Sequence, residues 1–272
     1  DGMRLRFVKT VADDDGGFTS FWYDWDLSTD EFGGIKAQNF NADGTKSGGE
    51  VALIDLTGTT SDTSVGLTVE KTADDGYMVI YTEKDNASPD AFDITSQKIE
   101  SNLTVVDSPL VIEDSSTSTT TAPGSIMLSD GGYVYYTSAA FGPSAIEIYK
   151  VDADGSTVTH TTIANQTHYL EMNNGVALDG GGFALIYMQE NTDTNKSDLV
   201  IQEFDAAGAI SGSPIVIMEG VYNHMEVPGA DIENISYFSI DVNTAGDYVV
   251  GVVAGQTNDI NQLEWHQNLI GH

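Results

Sequence analysis

The chain has 272 residues, 42 Asp and Glu against 10 Lys and Arg, a formal net charge of -32, and no cysteine. That single-sign surplus excludes a binder of nucleic acid or anionic lipid, whose phosphates it would repel, and the lack of cysteine excludes disulfides, thiolate zinc sites and thiol nucleophiles. At 40% hydrophobic and 9% aromatic residues the chain can fill a core, so its charge does not imply disorder. No apolar run approaches the roughly 20 residues of a spanning helix. A start at Asp1 rather than Met is expected of a mature form or a portion of a longer polypeptide.

One pattern recurs along the chain. An Asp/Gly turn, an aromatic residue and a run of β-formers appear at DDDGGFTSFWYDW from Asp13, ADDGYMVIYTEK from Ala73, SDGGYVYYTSAA from Ser129 and LDGGGFALIYMQE from Leu178, with a weaker copy, TAGDYVVGVVAG, from Thr244. In the first unit a strand over Leu5 to Lys9 precedes the turn. The second strand opens at Phe18, the third covers Gly34 to Phe40, an NADG turn starts at Asn41, and the fourth strand starts at Glu50. Unit two repeats this order with Gly66 to Lys71, a strand from Tyr77, Phe92 to Ile99 and Pro109 to Glu113. Unit three has Gly124 to Ser129, a strand from Tyr133, Ala145 to Val151, DADG at Asp152 and Thr159 to Ile163. Unit four has Gly175 to Asp179, a strand from Phe183, Asp198 to Phe204, DAAG at Asp205 and Pro214 to Glu219. In unit five only Tyr237 to Val242, a strand from Tyr248 and a third strand over Gln262 to Gln267, anchored by Trp265, are legible. Asp-Gly pairs supply the positive φ of a two-residue hairpin.

Four short strands joined by hairpins, repeated five times without helical periodicity, predict an all-β fold: a β-propeller of about five four-stranded blades, the last incomplete. The expected organisation is one domain over residues 1–272, with blades near 1–57, 58–113, 114–165, 166–219 and 220–272. A step of about ten residues from Trp265 runs past His272, so blade five is expected to lack its fourth strand. Its third strand, Gln262, Leu263, Glu264, Trp265, His266 and Gln267, is then an edge open to solvent or completed by a neighbouring chain. The Ser/Thr run from Ser115 to Thr121 reads as a flexible linker, and Glu219 to Asn234 as a long insertion.

The string from Gly16 to Glu50, with Ala37, Gln38, Phe40, Ala42, Asp43, Gly44, Gly48, Gly49 and Glu50 in place, resembles the propeller-type repeats of large secreted bacterial surface proteins, in which "GGFVVVW" is followed by "AQRFDADG" and "GGEFQVN". Unit four keeps Gln202, Phe204, Asp205, Ala206 and Gly208 of that pattern. Such repeats are commonly embedded in RTX-like, calcium-dependent or adhesin-type polypeptides. The resemblance implies an extracellular, non-catalytic module whose partners are copies of itself or neighbouring domains.

Asp13, Asp14, Asp15, Asp74, Asp75, Asp130 and Asp179 sit beside the tight turns and are candidate calcium ligands, since calcium takes oxygen donors. The same residues are ordinary turn formers, and both readings stay open. Trp25, nearest the loop after the second strand, is the candidate for stacking a sugar. The histidines, His160, His168, His224, His266 and His272, show no zinc spacing.

The expected function is therefore a non-catalytic structural or adhesive module of a secreted or cell-surface assembly in a marine or saline habitat. A lectin-like carbohydrate-binding propeller is the alternative. A five-bladed glycoside hydrolase is the third reading, although 42 acids single out no catalytic pair. With only Arg4 and Arg6, an arginine cluster for an acidic sugar is out of reach. The charge itself gives a test: added salt screens self-repulsion. The melting temperature should rise between low ionic strength and molar sodium chloride, measured by scanning calorimetry, and a flat response would defeat the screening argument.

Overall fold

The computed structural model describes residues 3–26, 31–60, 66–84, 92–116, 120–139, 144–166, 174–191, 196–223, 233–243, 245–256 and 264–270. These form nineteen strands, and the 3-10 turn Asp179–Gly181 is the one helical element among them. The chain divides into two compact units, Asp1–Thr120 and Thr121–His272.

The first unit holds two antiparallel blades. Blade one comprises β1 (Met3–Ala12), β2 (Phe18–Asp26), β3 (Glu31–Phe40) and β4 (Lys46–Thr60); blade two comprises β5 (Leu67–Lys71), β6 (Tyr77–Lys84), β7 (Phe92–Ile99) and β8 (Val105–Ser116). In each, the strands lie side by side in chain order. The blades pack face to face through Phe21, Tyr23, Ile35, Leu67, Tyr77 and Val79.

The second unit holds blade three, with β9 (Thr120–Met127), β10 (Tyr133–Ala139), β11 (Ser144–Val151) and β12 (Val158–Gln166), and blade four, with β13 (Asn174–Ala177), β14 (Phe183–Asn191), β15 (Lys196–Phe204) and β16 (Ile210–Asn223). Blade five has β17 (Glu233–Val242), β18 (Tyr248–Gln256) and β19 (Glu264–Ile270). It is joined to blade four by a short parallel pairing of Tyr222 and Asn223 with Asn234 and Ile235. The fold is all-β and of propeller class, with three strands in the last blade among the described residues.

Strand β14 shows why the apolar runs are continuous. Successive side chains of a strand point to opposite faces. Phe183, Leu185 and Tyr187 enter the core shared with blade three, while Ala184, Ile186 and Met188 enter the core shared with blade five. Both faces are buried, so FALIYM carries no polar alternation.

The Asp/Gly turns are one residue longer than a two-residue hairpin. In the first, Gly16 N–H donates to Asp13 O at 3.1 Å and Asp13 N–H to Gly17 O at 2.9 Å, which leaves three residues in the loop. The third loop residue is left-handed, with Gly16 at φ 87°. This is the turn in which a glycine bulge completes the reversal. The glycine after it is required by space: a Cβ on Gly17 would collide with the carbonyl oxygen of Phe40, and Gly132 and Gly182 face Val151 and Phe204 in the same way. The repeated Gly-Gly-aromatic string is therefore a left-handed residue followed by a close approach to the third strand.

A second repeated device sits two residues before the end of the third strand. The pairing of β3 with β4 slips between Ala37 and Asn39, that of β7 with β8 between Ser96 and Lys98, and that of β15 with β16 between Ile201 and Glu203. Each slip brackets a buried glutamine: Gln38, Gln97 or Gln202. The facing bulge residue is left-handed: Gly48 at φ 77°, Asp107 at φ 62° and Gly212 at φ 72°. A bulge frees backbone carbonyls that burial would leave unsatisfied, and the glutamine amide supplies the donor. Gln202 Nε2 donates to Glu203 O at 3.0 Å and Ser211 O at 3.2 Å, and Gln38 Nε2 to Asn39 O at 2.8 Å and Ser47 O at 3.2 Å. Blade three has Tyr149 at this place, and its pairing runs through without a slip.

Two sequence expectations change. Ile270, and not Trp265, lies opposite Tyr248 and anchors the third strand of blade five. Its register matches that of Phe40 opposite Phe18 and Phe204 opposite Phe183. Strand β19 is consequently the sheet edge among the described residues. It carries Glu264, Trp265, His266 and Gln267 of the expected edge, while Gln262 and Leu263 lie outside the described residues. The fourth strands are also longer than the sequence indicates, β4 reaching 15 residues. Within the proposed linker, 117–119 lie outside the described residues, and Ser115, Ser116, Thr120 and Thr121 belong to β8 and β9. Most of the Glu219 to Asn234 insertion, 224–232, also lies outside them.

Replacing Gln202 by Met keeps volume and removes the donor. The substitution should cost about 1–3 kcal/mol, the cost of leaving buried carbonyls unpaired, read as a shift in urea midpoint at unchanged slope.

Candidate functional site

The acidic turns of blades one and two meet at a cleft of about 290 Å3, lined by Asp13, Asp14, Asp15, Asn39, Lys71 and Tyr77 among others. Most of these turn carboxylates have a structural task. Asp15 Oδ1 accepts from Gly17 N–H at 2.9 Å, and Asp130 does the same for Gly132 at 2.9 Å. Such side-chain caps are the reason Asp is favoured in turns. Asp13 accepts the phenol proton of Tyr77 at 2.6 Å and the hydroxyl of Thr19 at 3.2 Å, tying the two blades together. Burial, reinforced by the Asp13 carboxylate, pushes the Tyr77 phenol up, so it stays a donor.

Lysines that the sequence reading passed over neutralise the remainder. Lys71 Nζ lies 2.7 Å from Asp14 and 3.4 Å from Asp75, and its hydrogen bond holds the Asp14 carboxyl below the ordinary range. Lys98 Nζ lies 2.7 Å from Asp74, whose pKa falls to about 2 through that bond and a second from Thr72. Asp179 lies exposed in the 3-10 turn. The signal that finds these pairs is a lysine at the end of the strand beside an acidic turn. Among the described residues no three His, Asp or Glu are grouped so that they could hold a metal ion. Asp13, Asp14, Asp15, Asp74, Asp75 and Asp130 are thus caps, blade ties or ion-pair partners.

Trp25 packs, partly buried, against the core of the first unit, with Phe21 and Tyr23 pointing to the same face. Asp24, on the opposite face of β2, is a buried carboxylate that the sequence did not single out. It is held by Lys36 at 2.6 Å, and that ammonium also reaches Glu50 at 3.1 Å. Of the loops at the opposite strand ends, Asp26 to Gly34 and Lys84 to Ala91, the stretches 27–30 and 85–91 lie outside the described residues. No helix among the described residues is long and apolar enough to cross a membrane.

No protein-family model and no curated protein matches this sequence. Solved structures do match its fold. The α-L-arabinanase of Penicillium chrysogenum, solved with arabinobiose, is similar over 97% of this chain and 80% of its own at 11% identity and a TM-score of 0.54. An endo-arabinase from Bacteroides thetaiotaomicron VPI-5482 covers 99% and 94% at 10% identity and a TM-score of 0.45. The catalytic domain of a Coprinopsis cinerea α-L-arabinofuranosidase covers 98% and 91% at 12% identity and a TM-score of 0.47. The Penicillium chrysogenum comparison is the one that carries weight. It establishes the propeller fold over nearly the whole chain. The expectation of a non-catalytic structural or adhesive module, and with it the adhesin and structural-protein descriptions, is corrected by this comparison, since the solved structure that shares the fold over 97% of this chain and 80% of its own is an arabinanase.

The lowered Asp74 pKa gives a pH test. A carboxyl depressed in the folded state contributes stability present above its unfolded pKa and lost as pH falls through the folded one. For Asp74 that window runs from about 4 down to about 2. Lys98→Met should bring the Asp74 titration, followed by carbon-13 NMR, back toward the ordinary value of 3.8 and confine its transition to that higher pH.

Proposed function

We propose that this chain is a glycoside hydrolase acting on a neutral polysaccharide, with arabinan the first substrate to try. The observation that supports the reading is the chain-long match in fold to an arabinanase. Composition narrows the substrate: a net charge of -32 with two arginines repels and cannot clasp an acidic sugar. Hydrolysis of a glycosidic bond needs two carboxyl groups, one giving a proton to the leaving oxygen and one acting as nucleophile or as base for water. Six of the seven turn carboxylates described above are already committed to caps, blade ties or ion pairs. The opposite strand ends, where the longer, variable connections lie, are the place to look for the pair, because positioned loops on a rigid sheet scaffold carry function. Such an enzyme works where polysaccharide is met, outside the cell, and its acidic surface suits a saline medium.

The test is incubation of the purified chain with linear arabinan, arabinoxylan and β-1,3-galactan, with reducing ends measured across pH. Release with a bell-shaped pH profile is expected, as two carboxyl groups in opposite protonation states require. Retention of a glycan in affinity electrophoresis without release would replace the enzyme by a carbohydrate-binding propeller. Neither release nor retention would overturn both.

A further inference from the structure

The first strand of blade one breaks its pairing in the middle. Register passes from Arg6 opposite Tyr23 to Lys9 opposite Phe21, so Phe7 and Val8 together face the single residue Trp22. This is a bulge, and Phe7 occupies its left-handed position at φ 52°. Glycine is the usual occupant there, because a bulky side chain in that region is strained by about 1–3 kcal/mol. The chain obeys the rule at Gly48 and Gly212. Leu103, another left-handed apolar residue, is 6% exposed and recovers its strain through burial. Phe7 recovers little: it is 42% exposed and Val8 53%. The ring of Phe7 stands edge-on to Tyr23, centroids 5.9 Å apart. Tyr23 is fully buried and pinned by hydrogen bonds from its hydroxyl to the carbonyls of Gly66 and Thr82, each 3.1 Å. An exposed aromatic ring is thus held on the first strand of the blade, while the first strands of blades three and four carry Gly124 and Gly175, where a Cβ would run into Tyr136 and Ile126. Bulges recur next to active sites, where they re-aim a side chain.

We infer that Phe7 is a stacking platform for the apolar face of a neutral sugar ring, a binding residue of the glycan site. The inference rests on the glycan reading above. An aromatic face offers apolar area without charge, which suits a ligand that this anionic chain neither attracts nor repels. The strain is retained because a regular strand would turn the ring back along the pleat.

The experiment measures affinity for arabino-oligosaccharide and melting temperature for the wild type, Phe7→Ala, Phe7→Gly and Phe7→Trp. Phe7→Ala and Phe7→Gly should weaken binding about tenfold, the scale of one aromatic contact, with the Gly variant at least as stable as the Ala one because it relieves the left-handed strain. Phe7→Trp should bind at least as well as wild type, and its additional indole emission should change when the sugar is added. A purely structural Phe7 predicts the reverse: lower melting temperatures in both truncations, unchanged affinity and an indole blind to sugar. That pattern in a wild-type background that cleaves or binds glycan would overturn this inference and leave the function standing. A wild type that does neither would overturn the function and the inference with it. Should Phe7→Ala fail to fold, the Phe7→Trp emission decides alone.

Discussion

Everything in this molecule follows from second strands that have no solvent face. On a strand buried on both sides each backbone group or polar side chain left without a partner costs about 1–3 kcal/mol, and few are so left, Thr137 Oγ1 and Gln38 Oε1 among them. The apolar runs of β6, β10 and β14, the tyrosines whose hydroxyls cross to the next blade, and the glutamine bulges all answer that constraint. Tyr77 finds Asp13, and Tyr248 finds Glu203 at 2.6 Å. Gln38, Gln97 and Gln202 each donate to the carbonyls that the fourth-strand bulge releases. Blade three, lacking the glutamine, also lacks the slip, so side chain and bulge come as a unit.

The acidic turns illustrate how composition misleads about chemistry. Seven aspartates beside tight turns read equally well as cation ligands or as turn formers, because both roles want a short oxygen-bearing side chain. The tertiary arrangement gives six of them a partner within the protein. Oxygens of Asp13, Asp15 and Asp130 are turned to backbone amides or hydroxyls, and those of Asp14, Asp74 and Asp75 to lysines. A lysine drawn from the neighbouring strand or blade supplies the charge balance that a metal would otherwise have to provide.

The functional correction has a similar origin. Of the repeat that resembles secreted surface modules, Gly16, Gly17, Gln38, Phe40, Gly44 and Gly48 are explained by blade construction: a left-handed turn, a close approach, a bulge donor and a stacked ring pair, with Phe18 and Phe40 centroids 4.7 Å apart. Scaffold residues recur wherever the scaffold does and say nothing about what the loops carry. The chain-long match to an arabinanase, at 11% identity, shows how far the loops and surfaces can diverge on such a scaffold.

Strand order, blade number and the short fifth blade were legible in the sequence, because hairpin chemistry and apolar runs are local and repeat with the blade. The placement of Ile270 rather than Trp265 as the last anchor was not, since register depends on which partner lies across the ladder and both residues are apolar. Nor could the sequence show that Lys71 serves the turn of another blade, that Trp25 leans into a core, or that Phe7 is left-handed and exposed in a bulge. LRFVK reads as an unremarkable strand. Local propensity alone determined the elements and their rhythm. The pairing of distant residues decided which blade's turn Lys71 serves, which aromatics are buried and that Phe7 is held out to solvent, because those outcomes depend on neighbours far apart in the chain, such as Asp14 for Lys71 and Tyr23 for Phe7.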